Sequence, residues 1–257
     1  MAAELKLVCP NIKVNLVHSR NRLLSSEPLP DDFKDQTLVF LREAGVEVVL
    51  SKRVQDNTDD GSGTRTLHLS DGSTLTVSEA MSAISGPEPT TSYLPGSALN
   101  SAAEVLVNSD LTFASSMPNA SSHYAIGDLI PQTGVKRCGG AMHHGHYAAY
   151  NIHQQILLSR GVIEKPLYQK VIEHGPNIGL AVGKKAIGYS EETGIMKGEE
   201  TLQYLFGNDL GFKYCWDYLK LSERFEDDDG IKDQTSPEPE NAVEVAEEKR
   251  LEVAAEA

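Results

Sequence analysis

The stretch Lys13-Val-Asn-Leu-Val-His-Ser-Arg-Asn-Arg22 begins as a strand and ends as a polar, basic loop. Residues 13–17 alternate and follow a Cys-Pro-Asn break, the pattern of a buried strand. Upstream, Ala2, Ala3, Glu4, Leu5 and Lys6 are good helix formers and predict a helix over residues 1–8. No cap precedes it, so the chain is expected to begin inside that helix. Downstream, Asp31 and Asp32 open a second helix, Phe33, Leu38 and Leu41 contribute its apolar stripe, and Gly45 stops it. Residues 46–50 follow as a second apolar strand. Helix, strand, helix, strand is the alternation of a parallel α/β sheet.

Further along, 56–63 reads as a polar turn, and 66–69 with 74–77 flank Asp71-Gly72 as a hairpin. This predicts an antiparallel hairpin insert in the α/β fold. Residues 79–85 read as a short strand, and Gly86-Pro87-Glu88-Pro89 as a crossover loop. Residues 123–126 predict a strand ending at Gly127-Asp128, followed by a turn through Pro131 and Gly134. A long amphipathic helix then runs to about Arg160 and stops at Gly161. Strands are expected at 178–182 and 185–189, and helices at 199–206 and around 216–219.

The 257 residues carry a formal net charge of −14, of which −9 falls in residues 226–257 (twelve acidic, three basic). That tail cannot bury enough apolar surface to offset its chain entropy and is expected to be disordered. The rest has an ordinary charge balance, and no dense basic surface speaks for a nucleic-acid partner. Cys9, Cys138 and Cys215 are odd in number and widely spaced, which builds neither a disulfide framework nor a zinc site. Such usage suits a reducing compartment, and with no signal-peptide pattern the expectation is a cytoplasmic protein.

Three stretches bear on chemistry. In a dinucleotide-binding unit the second strand ends beside the adenosine ribose, where a carboxylate bonds the 2′-hydroxyl and an arginine accommodates a 2′-phosphate. Here the strand ends in His18, Ser19 and Arg20, with Arg22 close by and no carboxylate in the window. The functional reading is a nucleotide site tilted toward NADPH; the plain one is a loop with two solvated arginines. A glycine fingerprint is expected about 20 residues before the ribose contact. Counting back from His18 puts it upstream of Met1, and no Gly-x-Gly-x-x-Gly occurs in the chain. Second, a strand ending in Gly127-Asp128 can aim a carboxylate at a ribitol hydroxyl, and the following helix start offers free N–H groups to negative charge. The plain alternative is a turn capped by Asp128. Third, His143, His144 and His146 invite a metal hypothesis, although positions i, i+1 and i+3 of a helix do not converge.

Together these segments resemble the FAD-dependent pyridine-nucleotide-disulfide-type oxidoreductases. Ile126-Gly-Asp128 after His123-Tyr124 is similar to their FAD segment, and His18-Ser-Arg-Asn-Arg-Leu-Leu24 to their NAD(P)H domain. Leu180-Ala-Val-Gly-Lys-Lys-Ala-Ile-Gly-Tyr189, Phe206-Gly-Asn-Asp-Leu-Gly211 and Cys215-Trp-Asp-Tyr-Leu219, in that order, resemble the apoptosis-inducing-factor-homologous (ferroptosis-suppressor-like) branch, especially its fungal members. The resemblance implies an α/β remnant of two interlocked Rossmann-like domains, N-terminally truncated. It implies a partial NAD(P)H-binding domain over 1–95 and the closing FAD segment over 96–165. A small α+β subdomain follows over 166–225, then the disordered acidic tail over 226–257.

The implied chemistry is hydride transfer from NAD(P)H to FAD and electron delivery to a quinone-like acceptor. On that mapping Gly127, Asp128, Thr133, Gly134, Val135 and Lys136 border the FAD. His18, Ser19 and Arg20, with Gly86 and Pro87 on the nicotinamide side, border NAD(P)H. A membrane surface and a second copy are the other partners it allows. Two competing classes stand beside it: a catalytically inactive interaction or dimerisation module, and a metal-dependent enzyme using the three histidines. Tyr214, Trp216 and Tyr218 could serve the former, although the plain expectation for such a cluster is ordinary core.

Overall fold

The computed structural model describes residues 1–59, 61, 63–84, 89–114, 117–131, 135–172 and 175–221. One compact unit, Met1–Leu219, holds every element below. It is an α/β fold with one parallel and two antiparallel sheets.

α1 (Ala2–Val8), β1 (Val14–Val17), α2 (Asp31–Glu43) and β2 (Val46–Val49) appear in the expected order, and β1 pairs in parallel with β2. α2 starts after Pro30 with Asp31 and Asp32 in its first turn, where negative charge complements the helix dipole. It buries Phe33, Thr37, Phe40 and Leu41, one stripe at helical spacing, and Gly45 turns out of it at φ +82.

The second sheet is β3 (Val54–Asp59), β4 (Arg65–Leu69) and β5 (Thr74–Val77), all antiparallel. The β4–β5 hairpin turns at Asp71-Gly72 as expected. β3 corrects the reading of 56–63 as a turn: Asp56, Asn57 and Thr58 pair with His68, Leu67 and Thr66. Their side chains are exposed on an edge strand, so no apolar alternation marks it. The strand expected at 79–85 does not form over 79–84, where Met81 and Ile84 are exposed; Ser85 lies outside the described residues. The strand expected at 123–126 is reduced to a single bridge, Thr112 with Tyr124.

The third sheet is β6 (Ile178–Val182), β7 (Lys185–Ser190) and β8 (Gly194–Gly198), followed by α4 (Glu199–Phe206) and α5 (Phe212–Tyr218). β8 was not anticipated: two of its five residues are glycine.

Two cores organise the unit. The first joins α1, α2 and β2 to β6 and β7, through Ala3, Phe33, Phe40, Val46, Ile178, Val182 and Ile187. Across it the Gly183 amide donates to Glu4 Oε1 at 3.0 Å, and Lys185 pairs with Glu43 at 2.9 Å. The second core gathers Ala98, Val105, Leu111, Phe113, Ala125, Ile130 and Ala148, the last from the long helix α3 (Cys138–Ser159). Among the described residues no helix is long and apolar enough to cross a membrane.

Candidate functional site

The site has two halves. The first is the loop after β1, which leaves the carboxyl end of a parallel strand, the edge where such sheets receive ligands. The loop is held by backbone: the His18 amide donates to Val49 O at 2.8 Å, Lys52 N–H to His18 O at 3.1 Å, and Ser51 N–H to Arg20 O at 2.9 Å. The His18 ring Nε2 lies 3.0 Å from Arg22 O. Ser19 and Arg20 are exposed, and among the described residues the Arg20 guanidinium has no hydrogen-bonding or ion-pair partner. Arg22 differs from that picture. Its guanidinium meets Asp31 at 2.6 Å and Asp35 at 3.0 Å, and these carboxylates hold its pKa above the ordinary value. The sequence window contains no carboxylate, but α2 brings two from beyond it.

The second half is a short 3-10 turn, Gly127–Leu129, seated on the first turns of α3. Gly127 has φ +69, and a Cβ there would come within 3.1 Å of Ala141 Cβ, so this position requires glycine. The Gly127 amide donates to Nδ1 of the buried His144 at 3.3 Å. Lys136 Nζ donates to the carbonyls of Asp128 and Ile130 at 3.1 and 3.0 Å and pairs with Glu104. The ammonium partner in turn holds the Glu104 carboxyl below its usual range. The Asp128 carboxylate projects outward with no hydrogen bond among the described residues.

Just beyond, α3 begins at Cys138. Its N-cap residue Arg137 makes no side-chain cap, and its first turn holds no acidic residue. The space where side chains of Gly139 and Gly140 would stand is open. Residues 138–140 are exposed, and the N–H groups of a first helical turn have no partner within the helix, which suits an anion. The two halves are joined by Arg137, whose guanidinium bonds Glu27 at 3.0 Å in the segment between β1 and α2. Val135 packs against the first core while Lys136 holds the turn of the second. Of the residues expected at the cofactors, Thr133, Gly134, Gly86 and Pro87 lie outside the described residues.

The three histidines diverge, which counts against a shared metal. His144 turns inward to Gly127, while His143 Nδ1 meets the Tyr218 hydroxyl at 2.8 Å and the His146 ring packs on Tyr218 at 5.4 Å. His143 and His146 thus hold α5 to α3. Among the described residues no group of three His, Cys, Asp or Glu could hold a metal ion. The expectation that Tyr214, Trp216 and Tyr218 form ordinary core is also corrected, since α5 buries none of its residues. Sequence reasoning missed Glu104, which lies 32 positions from Lys136, and the role of His144, which no local pattern signals.

The chain is similar to known proteins in sequence and in fold. The "Oxidoreductase OXR1" of Ajellomyces capsulatus is 47% identical over 228 residues, 87% of this chain and 49% of that protein. The chain thus spans about half the length of the curated relative it matches. Among solved structures, an FAD-dependent pyridine nucleotide-disulphide oxidoreductase from Desulfovibrio vulgaris superposes with a TM-score of 0.57 at 12% identity, covering 73% of this chain and 44% of that one. An engineered water-forming NADPH oxidase bound to NADPH, a variant of the Lactobacillus brevis NADH oxidase, gives 0.54 at 20% identity, over 74% and 40%. At those identities the two structures speak for the fold. The sequence model of the pyridine nucleotide-disulphide oxidoreductases matches residues 1–145, over half of the chain, which therefore belongs to that family.

Proposed function

We propose that this chain carries the adenosine-ribose edge of the NAD(P)H site and the closing FAD segment of a flavin-dependent NAD(P)H oxidoreductase that delivers electrons to a quinone-like acceptor. The observation that carries the proposal is the Gly127–Asp128 turn fixed beside the uncapped, carboxylate-free start of the 22-residue helix α3. These residues fit a dinucleotide: Asp128 offers a free carboxylate to sugar hydroxyls, and the open first turn of α3 offers N–H groups and positive dipole to negative charge. FAD, when bound, supplies a hydride acceptor and a store for two electrons. The chain's own part is to bind and orient. Lys136 fixes the carbonyls of the turn, Gly127 lets it approach α3, and Arg137 ties the helix start to the segment carrying Glu27. On the other half, the free Arg20 guanidinium, with Ser19 beside it, suits a ribose 2′-phosphate, so the nicotinamide cofactor is read as NADPH. The order of segments after residue 178 resembles the apoptosis-inducing-factor-homologous branch and supports a place in that branch.

The test is a visible absorption spectrum of the purified chain titrated with FAD, then with NADPH or NADH. A bound-flavin band bleached faster by NADPH is the expected result. A chain that retains no flavin rejects catalysis by this polypeptide alone.

A second reading, a non-catalytic dimerisation module, is favoured by one observation. α5 leaves Phe212 64%, Tyr214 63% and Trp216 40% exposed. If a second copy covers this face, sedimentation shows a concentration-dependent dimer that persists without flavin.

A further inference from the structure

We propose that His144 is the positioning residue that holds the Gly127–Asp128 turn in its FAD-receiving conformation, by accepting the Gly127 amide proton at Nδ1. The proposal rests on the flavin reading above and goes beyond it, because His144 is buried in α3 and reaches the turn from behind.

Hydrogen-bond supply decides what holds the turn. Gly127 is buried, and a buried amide without an acceptor is costly. The turn has no sheet ladder to satisfy it, since the nearest pairing is the single bridge at Tyr124. Its carbonyls are served by Lys136 and by the Ile130 amide, which donates to Gly127 O at 3.3 Å. The amide of Gly127 is left to His144 Nδ1 at 3.3 Å. A nitrogen that accepts a proton cannot carry one, so the ring is the neutral tautomer with its proton on Nε2. Protonation of Nδ1 would set two N–H groups against each other and release the turn.

On the turn, the charged groups are Asp128, whose carboxylate favours the imidazolium, and Lys136, whose ammonium is bound to the turn's carbonyls and to Glu104. On α3 itself, neighbouring His143 is engaged with Tyr218. Burial is the larger influence and pushes the His144 pKa down. The neutral, accepting form is therefore fully present above the ordinary imidazole value. It is lost as pH falls through the lower value that His144 has in the folded chain.

The experiment uses the whole chain, isotopically labelled for NMR, with His144→Asn and His144→Leu variants. The Asn side-chain oxygen stands near the place of Nδ1 and accepts without titrating; Leu fills the space without accepting. At about pH 8 the wild type should show scalar coupling between the Gly127 amide and an unprotonated Nδ1, fading toward about pH 5. Its FAD affinity should fall about tenfold over that range, whereas His144→Asn stays within about threefold of the value at pH 8. His144→Leu should bind FAD about tenfold more weakly throughout. An Nδ1 that carries the proton at pH 8 overturns the proposal, as does a wild-type pH profile that His144→Asn reproduces, or a folded His144→Leu chain that binds FAD like the wild type. If the wild type takes up no FAD, the flavin reading fails, and the coupling alone decides whether His144 holds the turn.

Discussion

Asn151 shows how much one side chain can organise here. It is completely buried in α3, and its Nδ2 donates to the carbonyls of Asp110 and Gln169, both at 2.9 Å. Its Oδ1 accepts from the Gln169 amide at 2.7 Å. Two loops are thus pinned to the helix by one amide whose capacity is nearly filled. Asn151→Leu keeps the volume but strands three backbone groups. At about 1 kcal/mol each it should lower the unfolding free energy by about 3 kcal/mol, read from urea denaturation. Gly127→Ala acts differently, because it forces a Cβ into a left-handed turn 3.1 Å from Ala141. It should cost roughly 1–3 kcal/mol, and FAD uptake should weaken with it. A variant as stable as wild type would show that the turn relaxes freely.

At the level of elements, the two arginines after β1 make a matched pair for testing. Arg20 is unengaged among the described residues, whereas Arg22 is spent on Asp31 and Asp35. Arg20→Ala should weaken NADPH binding by about tenfold and leave NADH binding unchanged, since a charge-assisted bond to the 2′-phosphate is lost. Arg22→Ala should leave both nucleotides' affinities unchanged. Equal losses for NADPH and NADH in Arg20→Ala would remove the 2′-phosphate argument.

The same elements show what could be read from residues alone. α2 was legible because its apolar spacing, its opening Asp31-Asp32 pair and its closing Gly45 all agree. α4 was legible to the residue. β3 was not, because an edge strand that hydrogen-bonds through its backbone while exposing Asp56 and Asn57 carries no hydrophobic signature. Residues 79–84 failed in the opposite sense: they look like a strand but pair with none among the described residues. In the candidate site, the loop after β1 and the Gly127-Asp128 turn stand out in the sequence by residue type and spacing. Their supports, Glu104, His144 and the carboxylates on Arg22, are distant in sequence and were not.

For the molecule as a whole, α5 gathers several exposed aromatic side chains on one short helix. Phe212 and Trp216 pack on each other at 5.6 Å, yet both remain exposed. Apolar surface of that kind favours association. A Phe212→Ser, Trp216→Ser double variant should stay folded, since no side chain of α5 is buried, and should sediment as a smaller species than the parent at high concentration. Identical sedimentation of the two would reject a self-associating face.

The bond from the Gly183 amide to Glu4 spans 179 positions of chain. The first core likewise takes Ala3 from the beginning and Ile178, Val182 and Ile187 from far downstream. At translation rates of about 5–20 residues per second, roughly 9–36 s separate the appearance of its first helix from that of the strands that cover it. From the moment α2 is made, its apolar stripe around Phe33 waits for β6 and β7. Until the last of those strands is made the stripe lacks its cover, the condition in which a growing chain is exposed to aggregation.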